Sequence, residues 1–159
     1  MSRPFRQIAL ALSLGLAAFV PTTFAATATG TFNVSVTFTP KCEITGAIGN
    51  LSVSYTSWQS ATSTGSTSFN MRCTTGQAYS VAVDNGGTYT DATTNLDYTL
   101  KLSANSTSPG GSDSDSISAT GNGTTGQTYY VHASFAANQT GERTTGVTAN
   151  NVRTLTITY

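Results

Sequence analysis

The chain has 159 residues, seven basic and seven acidic side chains, charged residues at 9% and a single histidine. This balance excludes the basic footprint of a nucleic-acid binder and a polybasic membrane patch, and one histidine among scattered acids offers poor material for a zinc centre. A low-charge composition rich in Thr, Ser and Gly fits an extracellular β protein better than a cytosolic enzyme, and regular apolar alternation sets it apart from a disordered tract.

Residues 1–25 read as a signal peptide. Arg3 and Arg6 give a positive start, "IALALSLGLAAFV" is too short to span a bilayer comfortably, and Thr23 and Ala25 occupy the −3 and −1 positions. Cleavage is expected after Ala25. The competing reading, a buried N-terminal helix, has no other helical stretch to pack on. The exported chain then runs from 26 to 159 with five basic and seven acidic residues, a net charge near −2. That length suits one domain with its own core, and the exported chain has no second hydrophobic run.

"TFNVSVTFTPKC" comes next. Phe32, Val34, Val36 and Phe38 alternate strictly with Asn33, Ser35, Thr37 and Thr39, which predicts a half-buried strand. Pro40 then lacks the N–H a ladder needs and separates this strand from the body of the domain. Two arrangements fit: an ordinary first strand of the chain's own sheet, or a strand meant for another molecule.

"KCEIT" and "LSVSY" predict short strands with Ile44, then Leu51, Val53 and Tyr55 inward. "GAIGN" between them is a Gly-bounded break, a bulge or a switch between sheets. "SWQSATSTG" is a polar loop carrying the single Trp. "STSFNMRC" is the next strand, and "TTGQ" a turn. "AYSVAVDNGG" places Tyr79, Val81 and Val83 on one face before a strong turn signal. "LDYTLKL" alternates Leu96, Tyr98, Leu100 and Leu102. "SANSTSPGGSDSDS" is a long loop of turn-formers, "SISAT" a short edge strand, "QTYYVHASFAA" a longer strand and "NQTGERTTGVTANN" a loop. "VRTLTITY" closes the chain with Leu155, Ile157 and Tyr159 alternating. No segment keeps a helical period over three turns, so many short strands with Gly-rich turns predict a β-sandwich.

Cys42 and Cys73 are the two cysteines, and in an exported chain an isolated pair is expected to form one disulfide. Their spacing fits neither CxxC nor a zinc pattern. His132 lies in a predicted strand with no GxSxG in the chain, which gives it a structural role rather than a place in a triad. Asp113 and Asp115 in "SDSDS" could offer oxygens to calcium, but that ion wants six or more ligands, and a solvated loop is the simpler reading. Trp58 with Tyr55 could stack on a sugar ring; packing at a sandwich end is again simpler. No catalytic residue, metal site or cofactor is expected.

The two ends of the exported chain can be read together, on an equal footing with Phe32–Phe38 as the ordinary first strand of a complete sandwich. A sandwich lacking its last element leaves an apolar groove beside its final strand, and such an edge aggregates unless something pairs with it. A detached alternating strand from a second copy would add backbone hydrogen bonds and fill pockets with alternate side chains. Four large apolar side chains would contribute about 6–12 kcal/mol at roughly 1.5–3 each, before ordering costs. Head-to-tail pairing of this kind does not close, so it builds a fibre.

"FNMRCTTGQAYSVAVDNGG", then "LDYTLKL", "YYVHASFAANQ" and the terminal "LTITY", resemble in content and order the spore coat protein U family, which includes pilin subunits of archaic, Csu-type chaperone–usher pili. The likeness covers residues 30–159. It implies an all-β, incomplete immunoglobulin-like β-sandwich at 41–159, completed by a donor strand from the neighbouring subunit, and a donor segment at 26–40 with Phe32, Val34, Val36 and Phe38 as its plugs. It implies an acceptor groove, also the chaperone-binding edge, of Ile44, Leu51, Val53, Leu155, Ile157 and Tyr159, with a disulfide at Cys42 and Cys73. The partners implied are other pilus subunits, a periplasmic chaperone and an outer-membrane usher. The implied role is a structural subunit of an extracellular pilus supporting adhesion and biofilm formation. One departure stands out: the Gly-x-Tyr-x-Asp often found before the last strand is replaced here by "GERTTGVTANNVRT". The runner-up is a secreted coat or matrix protein of the same fold, and a third reading is a carbohydrate-binding module.

Overall fold

The computed structural model describes residues 25–104, 113–142 and 149–159. The leader before residue 25, most of the long loop after Ser103 and part of the loop before the last strand lie outside them. The chain divides between Val36 and Thr37. Residues 25–41 contain no strand and are exposed, which departs from the strand expected at 32–38. Alternation sets which side chains share a face, but a strand forms only where another strand supplies a ladder, and none does so here.

From Cys42 onward the described residues form eight strands: β1 (Cys42–Thr45), β2 (Ser63–Cys73), β3 (Ala78–Val83), β4 (Thr88–Thr90), β5 (Asp97–Ser103), β6 (Ser116–Thr120), β7 (Gln127–Phe135) and β8 (Leu155–Thr158), with a tight turn at Asp84–Gly87 in which Asn85 and Gly86 take positive φ. They make a five-stranded sheet ordered β1-β2-β7-β5-β4 and a three-stranded sheet ordered β6-β3-β8, antiparallel throughout. This is the all-β sandwich that the period-two patterning predicts, in the immunoglobulin-like form that the family resemblance implies. Among the described residues no helix is long and apolar enough to cross a membrane.

The core obeys that patterning. Phe69, Met71, Tyr98, Leu100, Leu102, Tyr129 and Val131 of the larger sheet face Tyr79, Val81 and Val83 of the smaller one. The expected disulfide is formed: Cys42 and Cys73 face each other across β1 and β2 and are bonded. At that end Tyr79 Oη donates to Gln127 Oε1 at 2.9 Å and lies 2.7 Å from Tyr129 Oη, which ties the two sheets together. Burial, and then the Tyr129 contact, push the Tyr79 phenol well above its ordinary range.

Two expectations shift in detail. β2 begins at Ser63, inside the stretch expected to be loop, and β4 was not foreseen, because three residues after "DNGG" carry too short a pattern. Gly87, at φ +71°, ends that turn where a Cβ would strike the Leu100 carbonyl, so only glycine fits.

Candidate functional site

The two long sides of the sandwich are built differently. On one, Leu102 and Ser114 exchange backbone hydrogen bonds of 2.7 and 3.0 Å, so β5 and the approach to β6 link the sheets. On the other, β1 ends the larger sheet and β8 ends the smaller one. Among the described residues no ladder joins them, and β8 pairs with β3 alone. Its outer row of backbone groups is the unpaired edge.

The segment expected as a strand at 51–55 lies on this open side. It alternates half-buried Leu51, Val53 and Tyr55 with exposed Ser52 and Ser54, yet it is not a strand. Its carbonyls at Gly49 and Ser54 accept from the hydroxyls of Thr67 and Ser63, both at 2.9 Å, rather than from a backbone ladder. These hydroxyls belong to the inward-facing series of β2. That series turns from Phe69 and Met71 to Ser63, Gly65 and Thr67 where 49–54 crosses it. A Cβ on Gly65 would come within 2.7 Å of Val53 Cγ2. The small inner residues of β2 therefore make room for the segment that leaves the larger sheet after β1; it enters neither sheet, so "GAIGN" marks a break in the ladder and not a switch to the second sheet.

Ile44, Leu51, Val53, Leu155 and Ile157 are all partly buried against the one core, so the structure places these expected groove residues at the margin of a single hydrophobic interior. Tyr159 lies just beyond the end of β8 and is 57% exposed. Phe32, Val34, Val36 and Phe38 are 70–86% exposed, an unusual state for four large apolar side chains in a row of alternate positions.

A polar latch that the sequence did not announce holds the approach to β8. The Arg153 guanidinium lies 4.0 Å from the Tyr89 ring centroid. Its Nε and Nη2 donate to Tyr98 Oη at 2.9 and 2.7 Å. Asn151 Nδ2 donates to Asp91 Oδ2 at 2.6 Å. Burial alone would push Asp91 up, but donors from the Thr94 hydroxyl, Asn151 and the N–H groups of Thr94 and Thr93 outweigh it and hold the carboxyl below its ordinary value. Tyr89 and Tyr98 belong to β4 and β5, so the latch fastens the run-in of β8 to the opposite sheet.

The remaining candidates resolve plainly. His132 is buried in the middle of β7, its ring parallel to that of Tyr130. Asp115 pairs with Lys101, and no group of three or more His, Cys, Asp or Glu that could hold a metal ion occurs among the described residues. Trp58 corrects the expectation of packing at a sandwich end: it is 72% exposed. Its neighbour Tyr55 turns inward instead, with its ring 6.2 Å from that of Phe135 and its hydroxyl accepting the Gln139 N–H at 2.9 Å.

The Spore Coat Protein U domain family model matches residues 28–146. No curated protein and no solved structure matches the chain.

Proposed function

The chain belongs to the Spore Coat Protein U domain family, and from that membership we propose that it is a structural subunit of an extracellular pilus, polymerising by donation of residues 31–39 to the next copy. The family supports a pilus- or coat-type structural role at the cell surface rather than catalysis. One observation carries the finer reading: among the described residues β8 is a half-buried strand with one edge unpaired, in a chain that also holds four alternating, exposed apolar side chains ahead of β1. Each supplies what the other lacks: β8 offers an edge to pair with, and the segment offers alternating apolar side chains in need of burial. Phe32, Val34, Val36 and Phe38 are the plugs. Ile44, Leu51, Val53, Leu155, Ile157 and Tyr159 form the receiving margin, which a periplasmic chaperone would cover before an outer-membrane usher drives exchange. Adhesion and biofilm formation would result from the fibre.

The test is a comparison of extracellular material on unboiled denaturing gels, from the intact gene and from one lacking residues 31–39. A ladder of multimers that needs the segment is expected. An equal ladder without it, or with Phe32, Val34, Val36 and Phe38 all replaced by Ser, would sink donor exchange and leave a coat or matrix protein of the same fold.

A further inference from the structure

Cys42, Cys73 and Thr158 mark one end of the sandwich, and Ser63, Phe135 and Leu155 mark the other. Trp58 stands at the Leu155 end, where the loops at 56–61 and 136–142 are knitted together. Trp58 N–H donates to the Gln139 carbonyl and Asn138 N–H to the Gln59 carbonyl, both at 2.9 Å, and Ser57 Oγ donates to the Thr140 carbonyl at 2.6 Å. This pairing holds Trp58 at φ +59°. The other non-glycine residues at positive φ among the described residues are Asn85, Asn95 and Asn138, the residue type that tolerates that region best, whereas a bulky ring there is a genuine outlier. With 72% of its surface in solvent, the ring returns little to its own fold for that steric cost. A strained residue held firmly in place points to a use outside the subunit.

We propose that Trp58 is the seat for the body of the next copy in the fibre, an inference that rests on the donor-strand reading above. Every pairing in both sheets is antiparallel, so a donated strand that continues the pattern beside β8 runs from the Thr158 end toward the Leu155 end. Its Phe38 then emerges at the Trp58 end. Thr39, Pro40 and Lys41 alone separate Phe38 from Cys42, a reach of at most about 13–14 Å, and Pro40 stiffens it. The incoming copy therefore meets this subunit with its disulfide end, close to Trp58.

Charge agrees with that docking. Among the described residues at the Trp58 end, Asp84, Asp97 and Glu142 outnumber the single cation, Arg153, which keeps its charge on its two tyrosines. At the disulfide end Lys41 and Arg72 flank Glu43. An acidic face on one copy thus opposes the more basic face of the next, which favours head-to-tail order over the reverse.

Trp58 is the chain's single tryptophan, so its intrinsic fluorescence reports this contact directly. The full chain is measured as polymer, and as single subunits capped by excess synthetic peptide of residues 31–39. The expected result is a blue-shifted emission and loss of acrylamide quenching in the polymer alone. Equal quenching in both samples overturns the proposal. So does protection already present in the capped subunit, because the donor strand rather than the next body would then cover the ring. If no polymer forms and no peptide binds, the pilus reading itself has failed and the junction with it. Trp58→Asn gives a second measurement: it should raise the melting temperature of the capped subunit, bind peptide as before and yield polymers that dissociate at lower denaturant. Polymers of unchanged resistance overturn the proposal.

Discussion

Replacing Arg153 by alanine should loosen β8 without removing one buried apolar side chain. The guanidinium stacks 4.0 Å over Tyr89, a contact worth about 0.5–1 kcal/mol at an exposed site. Its two hydrogen bonds to Tyr98 Oη, at 2.9 and 2.7 Å, would each bring about 1.5–3 kcal/mol to a charged donor in a dry setting. Arg153 is exposed, so solvent screening takes most of that away, and the whole change should cost about 2 kcal/mol. Lysine cannot reproduce the forked donor, so Arg153→Lys should recover no more than the cation–π share, about 1 kcal/mol. The assay is urea unfolding of the subunit saturated with the 31–39 peptide, with Tyr98→Phe added to complete a double-mutant cycle whose coupling should be about 1 kcal/mol. Hydrogen exchange should quicken in β8 before it does in β3. A loss under about 0.5 kcal/mol, or a lysine variant equal to the parent, would refute the latch as the anchor of β8.

Acid should weaken the same latch. Because the folded Asp91 carboxyl sits below its unfolded value of 3.8, its contribution is complete above that pH and is lost as the pH falls through the lower folded value. Melting temperatures taken from about pH 5 down to about pH 2 should fall less steeply in Asp91→Asn than in the parent; parallel curves would refute this assignment. Replacing both Cys42 and Cys73 by alanine frees a loop of sequence separation 31 and should cost about 3.7 kcal/mol on the chain-entropy estimate, read as a lowered urea midpoint. A midpoint unchanged by reduction of the parent would mean that the bridge does not hold β1.

Where burial repeats every second residue, the sequence spoke clearly. Tyr79, Val81 and Val83, and Tyr98, Leu100 and Leu102, belong to inward faces because period two is the pleat itself. The same signal at 51–55 described the burial correctly and the hydrogen bonding wrongly, since whether a ladder forms depends on a partner that local pattern does not name. At 32–38 that gap is widest, because alternation is silent about which chain supplies the sheet. Trp58 was misplaced for a related reason: its direction is set by a pairing with Gln139, far along the chain. The Arg153 and Asn151 contacts span 55 and 60 residues and leave no local trace. Even the small inner series Ser63, Gly65 and Thr67 makes sense only once 49–54 is seen crossing it.

The joint between Lys41 and Thr74 acquires a mechanical meaning in the proposed fibre. Thr74 N–H donates to the Lys41 carbonyl at 2.9 Å, and Lys41 N–H to Thr74 Oγ1 at 3.0 Å, one residue outside the Cys42–Cys73 bridge. Tension arriving along the donated segment enters the body there and passes at once into two strands, the second reached through a covalent bond. In the receiving copy the pull leaves at the Leu155 end, while that copy is itself anchored at the opposite end. The donor and β8 are then drawn past one another lengthwise. Their hydrogen bonds lie across the strands, so such a joint loads them in shear and they must yield together, where a peeling force would break them one at a time.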